Sequence, residues 1–542
     1  MSTVVGASSL VPRSSTGIAL ARLTVRQIRR GALLLAFALA AYAVVEVYSY
    51  RATYPDAASR ARLTTFQDNP AVRMLQGIPH AVDTPGGFVA WDAGWLLAWI
   101  AGIWALLATV RLLRGEEESE RAELVLSAPI PTTRATARQL LVVAAASALA
   151  GATLAVALAA SGAGVAGSVV FGAGLAGITA ISAGIAAVAA QVFRVGHRAS
   201  TAAAGVLGVL FLVRMIANSG TSRGWLRWAT PFGWMDELHA FGDPRPAALA
   251  ALLATPLLLG ALALRLRAIR DTGGALSTTE DRRPARLGLL ASPLAFTWRT
   301  TYGMVASWGI GIAGYAAVMG VTVKSVTEFI ASDPNYSKVL ATLGWSAAEA
   351  TRGYLGIMGG VLGLLLCTYV GWRVGVASKE ETTGRLDNHL SRPVSRRRWL
   401  LGHTLVAVVT AAAIAVAAGL VMWAGAAATA AGITATDALG AIANFLPVVA
   451  VFAGMAVLIF GLRPRLTVPL TVSAAVTAYL VQLLGTALKW PGWALDLSPF
   501  HHLATVPVDP VATLPAILMT CIGIAAAAVG VTAFEHRDLV GE

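Results

Sequence analysis

Twelve apolar runs of about 20 residues recur along this 542-residue chain, near 31–50, 91–113, 139–160, 167–193, 200–219, 247–267, 302–323, 353–375, 400–425, 437–462, 466–487 and 511–534. At 1.5 Å per residue, a helix of that length crosses the roughly 30 Å hydrocarbon core of a bilayer. Hydrophobic residues make up 56% of the chain and charged residues only 13%, so it reads as an integral membrane protein. Alternating ten-residue strands are absent. Because backbone polar groups in lipid must pair internally, the spanning elements are expected to be helices and not a barrel.

The formal net charge of +13 raises the question of nucleic acid, and the placement of the charges answers it. With an even number of spans and both termini cytoplasmic, 29 of the 41 Lys and Arg fall in cytoplasmic segments. That excess follows the positive-inside rule for a multi-pass protein of the cell membrane. A nucleic-acid partner needs basic residues gathered on a folded soluble face, and the sequence offers no such domain. The two cysteines, Cys367 and Cys521, lie in apolar runs and suggest neither a disulfide framework nor a zinc site. Residues 1–30 are polar, then basic, and read as a cytoplasmic tail followed by an amphipathic segment.

Two charged stretches stand out between apolar neighbours: residues 114–140 and residues 379–403. A shift of 264 residues lays Glu116 on Glu380, Glu117 on Glu381, Arg121 on Arg385, Glu123 on Asp387, Leu126 on Leu390, Ser127 on Ser391, Pro129 on Pro393 and Arg134 on Arg398. Other landmarks recur at a similar offset. Thr230-Pro231-Phe232 answers Ser498-Pro499-Phe500, Asp243-Pro244 answers Asp509-Pro510, and Arg270-Asp271 answers Arg537-Asp538. The chain is therefore expected to be all-α, with two tandem six-helix halves of the same orientation, at 31–271 and 291–542, joined by a cytoplasmic linker at 272–290.

Within 380–391, Leu386 and Leu390 fall four residues apart, the spacing of a short amphipathic helix that Pro393 then ends. Glu380 and Glu381 are expected at the start of that helix, where acids favour the helix dipole. Topology needs arginines but not paired glutamates, so a cytoplasmic partner is expected to read the acids.

Six spans with an EE…RL…L-S-x-P segment between the second and third, and a Thr/Ser-Pro-Phe motif before the last, resemble the type-2 class of ATP-binding-cassette export permeases. The doubled form looks like the actinobacterial exporters of polyketide antibiotics, the tetronasin-type group. The resemblance implies that the charged segments are coupling helices docked on a separate cytoplasmic ATPase, with two copies per permease chain. On that resemblance, Glu116, Glu117, Arg121 and Glu123 are expected to form the contact in the first half, and Glu380, Glu381, Arg385 and Asp387 in the second. It also implies a connecting helix at 17–30, less clearly at 288–300, and short re-entrant helices at 220–246 and 488–510. The first copy departs from the pattern, with Pro131, Thr132 and Thr133 where the second has Ser395, Arg396 and Arg397.

No GxxxxGK[ST] loop is present, so ATP and Mg belong to the partner and the chain itself carries no cofactor, metal or catalytic site. Two GxGxxG strings, at Gly162-Gly164-Gly167 and Gly172-Gly174-Gly177, lie in small-residue membrane segments and suit close helix packing better than dinucleotide binding, as do Gly356, Gly360 and Gly363. His501-His502 lacks acidic or thiolate company. Glu46, Asp92 and Asp437 lie near span ends as polar anchors, which disfavours proton-driven transport. Trp95, Trp99, Phe211, Tyr369, Tyr479 and Gln482 are the candidates for lining a largely apolar pathway, suited to a hydrophobic drug. Export of a lipid or envelope component, and a non-transporting scaffold or sensor, are the competing readings.

Overall fold

The computed structural model describes residues 13–61, 63–64, 70–118, 131–271, 274–276, 288, 292–332, 347–391, 393–487 and 490–539. Among these there is no β-strand, and twelve helices are long and apolar enough to cross a membrane. They are α1 (Arg13–Thr53), α2 (Gly94–Val110), α3 (Thr132–Ala160), α4 (Val165–Val192), α5 (Gly196–Asn218), α6 (Pro246–Ala268), α7 (Pro293–Ser332), α8 (Ala347–Thr382), α9 (Arg396–Ala428), α10 (Leu446–Leu462, led by Ala435–Ala443), α11 (Thr467–Ala487) and α12 (Thr513–His536). Each corresponds to one of the twelve apolar runs. The chain divides into two compact units, Met1–Arg282 and Arg283–Glu542.

The first unit is built around α4, which packs against α2, α3, α5 and α6, while α1 lies along α3. The second repeats this arrangement: α10 packs against α8 and α12, and α7 lies along α9. Lipid tails are as apolar as the side chains, so these contacts depend on close approach and not on water exclusion. Small residues supply it. A Cβ at Gly454 lies 2.0 Å from the Gly523 carbonyl oxygen, and one at Gly461 lies 2.2 Å from that of Gly530, so α10 and α12 touch backbone to backbone twice, seven residues apart. Gly151 and Gly172 do the same between α3 and α4.

The GxGxxG strings follow from this packing. Gly162 and Gly164 form the α3–α4 turn with φ of +78° and +94°, Gly167 admits Phe241, and Gly174 and Gly177 admit Leu238 and Leu252. In α8, Gly356 faces Thr505, and Gly363 faces Phe445.

Each unit has one end where its first helix begins and its sixth helix finishes, called here the basic end, and an opposite, far end. The amphipathic segment before the first span is not a separate helix: α1 runs unbroken for 41 residues. Leu20, Thr24 and Ile28 of its first turns are buried, while Arg22, Arg26 and Arg29 are exposed. The counterpart in the second half is likewise continuous with α7, which runs for 40 residues. Of the linker 272–290, only 274–276 and 288 are described, and the tail 1–12 lies outside the described residues. Thr221–Ala229 and Pro231–Glu237 form two short helices in the 220–246 segment, whereas 488–510 holds only Gly492–Leu495 and turns among its described residues.

Replacing Gly454 by Leu drives a side chain into the α12 backbone, and overpacking of this kind costs about 1–3 kcal/mol or more. Gly260, with nothing within 4 Å of a Cβ, is the control. Thermal unfolding in detergent is expected to show a clear loss for Gly454→Leu and none for Gly260→Leu; equal midpoints contradict the packing.

Candidate functional site

At the basic end of the second half, Glu381 stands in the last turn of α8 with its side chain 1% exposed. Acids at a helix C-terminus oppose the dipole, and a buried carboxylate needs a partner. Arg537, just past α12, provides one: Nη1 donates to Oε1 at 2.5 Å and Nη2 to Oε2 at 2.7 Å. The same guanidinium donates from Nε to the Gly461 carbonyl at 2.8 Å and lies over the rings of Phe460 and Phe534. One ion pair thus fastens together the ends of α8, α10 and α12.

The first half has the equivalent clamp. Glu117 takes Arg270, just past α6, at 2.5 Å, together with Arg114 at 2.9 Å and Arg267 at 3.7 Å. Arg114 sits in a π-helical turn, Arg111–Gly115, and donates to the Ala190 carbonyl at the end of α4. Gln27 of α1 reaches Glu116 at 3.0 Å, and the Gly196 N–H at the start of α5 donates to Glu118 at 2.5 Å. Glu380, beside Glu381, meets His403 of α9 at 3.6 Å, and His403 faces the fully buried Arg373 at 3.4 Å.

These contacts correct the expected layout of the charged stretches. Glu380 and Glu381 are not the start of the short helix; α8 continues through Thr382, Gly384 at φ +68° breaks it, and the short helix runs Arg385–Leu390. Glu117 and Glu381 face the interior of their halves, not an outer surface. What the second stretch presents outward is Arg385, Asp387 and Asn388, while Leu386, 1% exposed, anchors the helix in a cluster with Trp399, Phe460 and Phe534. Arg121, Glu123 and the rest of 119–130 lie outside the described residues. Ser395 caps α9 by accepting the Arg398 N–H at 3.2 Å, whereas Pro131 gives α3 no side-chain cap, which is the local consequence of the divergence at that position.

Sequence reading missed Arg270 and Arg537 as the partners of the acids. The signal was present: both arginines recur at nearly the same offset as the glutamates.

At the far end, a shift of 268 residues relates α5 and its following loop to α11 and its loop. The Thr230 hydroxyl donates to the Leu210 carbonyl and the Ser498 hydroxyl to that of Ala478, both at 2.8 Å. These anchors explain the repeated Thr/Ser-Pro-Phe motif. They set Phe232 edge-on to Phe211 at 5.2 Å and Phe500 edge-on to Tyr479 at 5.5 Å.

Beyond that shared frame the halves differ. In the first, Trp95 and Trp99 complete an aromatic cluster with Phe211 and Phe232. Arg214, 1% exposed, is locked to Asp236 by bonds of 2.7 and 2.8 Å. The His80 and His239 rings lie 3.7 Å apart at a 38° tilt, and burial, then the neighbouring His239, pushes the His80 pKa down to about 4, so it is neutral at pH 7. About 50 Å³ remains open there. In the second half, Gly359 and Gly363 occupy the positions of Trp95 and Trp99, and Gln482 and Ala504 those of Arg214 and Asp236. The cavity is about 370 Å³, and Tyr479 and Gln482 line it.

Tyr369 belongs to neither cavity. It is fully buried and hydrogen-bonded to Thr410 of α9, a packing role. His501 and His502 turn to different partners, Gln482 at 3.0 Å and the Asp496 carbonyl at 2.9 Å. Asp437 closes a capping box with Thr434. Asp92 accepts from Gln76 at 2.6 Å, and burial raises its pKa.

The sequence profile of the family described as multidrug efflux system permease Rv1217c, C-terminal domain, matches the chain twice, over residues 21–266 and 290–535, once in each half. The multidrug efflux system permease protein Rv1217c of Mycobacterium tuberculosis (strain ATCC 25618 / H37Rv) is 30% identical over 505 residues, covering 92% of this chain and 90% of that protein. A multi-pass helical membrane chain carrying this domain twice belongs to the family of multidrug efflux system permeases.

Proposed function

We propose that this protein is the membrane-spanning subunit of an ATP-driven exporter of hydrophobic drugs or antibiotics, of the type-2 ATP-binding-cassette class and its tetronasin-type group. Both termini are cytoplasmic in the cell membrane, and two copies of a cytoplasmic ATPase dock on the two charged segments. ATP and Mg are held by those subunits. The family membership and the multidrug efflux role named for the 30% identical relative support efflux of drugs.

The observation that carries the coupling is the attachment of the Arg385–Leu390 helix. Its outward side offers Arg385 and Asp387 to a partner, and its inward side is fixed by Leu386. Immediately before it, Glu381 is clamped to Arg537. A partner that displaces the short helix therefore displaces the ends of α8, α10 and α12 together, because breaking the clamp strands a buried charge at a cost of about 3–5 kcal/mol. Exposed charges set partner choice and association rate; the buried pair transmits the force. The chain needs no chemistry of its own for this.

Two outcomes test the division. Reversing Arg385 and Asp387 together (Arg385→Glu, Asp387→Lys) is expected to abolish co-purification of the ATPase without lowering the thermal midpoint of the permease; undiminished co-purification contradicts the docking role. Glu381→Gln is expected to retain the ATPase while losing drug-stimulated ATP turnover. Normal stimulation in that variant argues against the clamp as a transmission element.

A further inference from the structure

We infer that drug recognition is confined to the second half, in the cavity between α8 and α11, and that its ligand is an uncharged, aromatic, lipophilic molecule with a hydrogen-bonding group. The inference rests on the efflux reading above and goes beyond it by naming a site and a ligand class.

The volume comes first. At about 370 Å³ the cavity lies within the range of small-molecule sites, while its counterpart of about 50 Å³ holds little beyond water. The difference traces to paired positions. Gly360 in the cavity wall carries no side chain where a shift of 264 residues places Leu96 in the first half, and a bidentate Arg214–Asp236 pair closes the first half where Gln482 and Ala504 leave the second open.

The chemistry of the wall comes next. Phe445, Tyr479 and Phe500 line the cavity, with Tyr479 and Phe500 set edge to face, and aromatic walls favour an aromatic guest through offset-stacked or edge contacts. Gln482 and Thr486 add polar groups, and Gln482 is oriented by His501 at 3.0 Å. Among the described residues, none that lines the cavity is charged. A cation entering it loses hydration and gains no counter-ion, so neutral ligands are favoured. The first half keeps the same Thr/Ser-Pro-Phe frame and uses it for packing.

Repeat-equivalent substitutions test the asymmetry directly. Saturable binding of the neutral dye Nile red to the purified full-length permease, without nucleotide, is measured for Tyr479→Leu and for its counterpart Phe211→Leu. Tyr479→Leu is expected to weaken binding at least fivefold and Phe211→Leu by less than twofold. Gly360→Leu serves as a second variant: a Cβ at Gly360 meets only ordinary contacts, at 3.5 Å from Tyr479 and 3.6 Å from Phe445, so the larger side chain fills the cavity without forcing the backbone. It is expected to weaken binding tenfold or more at an unchanged thermal midpoint. Equal losses in both halves, no loss with Gly360→Leu, a cationic rhodamine dye binding as tightly as Nile red, or equal displacement by phosphatidylglycerol each overturn the inference. Vesicle export separates the two levels. If the wild type exports drugs and both cavity variants export them equally well, the site is wrong and the efflux reading stands; if the dye binds as described but no drug is exported, the efflux reading fails and the site stands.

Discussion

A carboxylate buried at the C-terminal end of a helix is unfavourable on its own, and this fold uses that penalty as a fastening. Glu117 and Glu381 each close the second helix of a half onto the arginine that follows the sixth. The pair is bidentate in both halves, and in the second its guanidinium also covers two aromatic rings and a helix-end carbonyl. The Glu381–Arg537 pair ties α8 to α12 at that end, and Leu386 and Leu390 pack the short helix after α8 against the same body. The glycine contacts between α10 and α12 continue the same body toward the far end.

Duplication has kept this mechanical frame and relaxed the rest. The clamp, the Thr/Ser-Pro-Phe anchor and the helix pairings occur twice. The surroundings of the clamp differ: Arg114, Arg267 and Arg270 converge on Glu117, with a π-helical turn, whereas Glu381 takes Arg537, with Glu380 joined to His403. At the far end one half is filled with tryptophan and a buried ion pair, and the other is hollow. Two halves that do the same work need not both bind the same cargo.

Much of this was legible in the residues. Twelve apolar runs gave twelve helices because length and hydropathy alone decide what crosses a bilayer. The repeated landmarks were real, but their physical reasons were not visible: Arg270 and Arg537 were read as markers of repetition when they are the partners of the acids. The start of the short helix was misplaced because the left-handed turn at Gly384 outweighs the dipole preference that put Glu380 and Glu381 at a helix start. Of the six pathway candidates, Tyr479 and Gln482 share a cavity, Trp95, Trp99 and Phe211 share a packed cluster, and Tyr369 is core. Residue type alone does not separate an aromatic that lines a space from one that fills it.

The short Arg385–Leu390 helix, proposed as the coupling element, and the end of α12 are expected to move as one body. Spin labels at Asp387 and His536, both exposed, report on it through their pulsed electron-resonance distance in the ATPase-bound permease, with and without trapped nucleotide. A single narrow distance that is unchanged by nucleotide and broadens only when Glu381 is replaced by Gln is the predicted result. A nucleotide-dependent shift with Glu381 intact contradicts it.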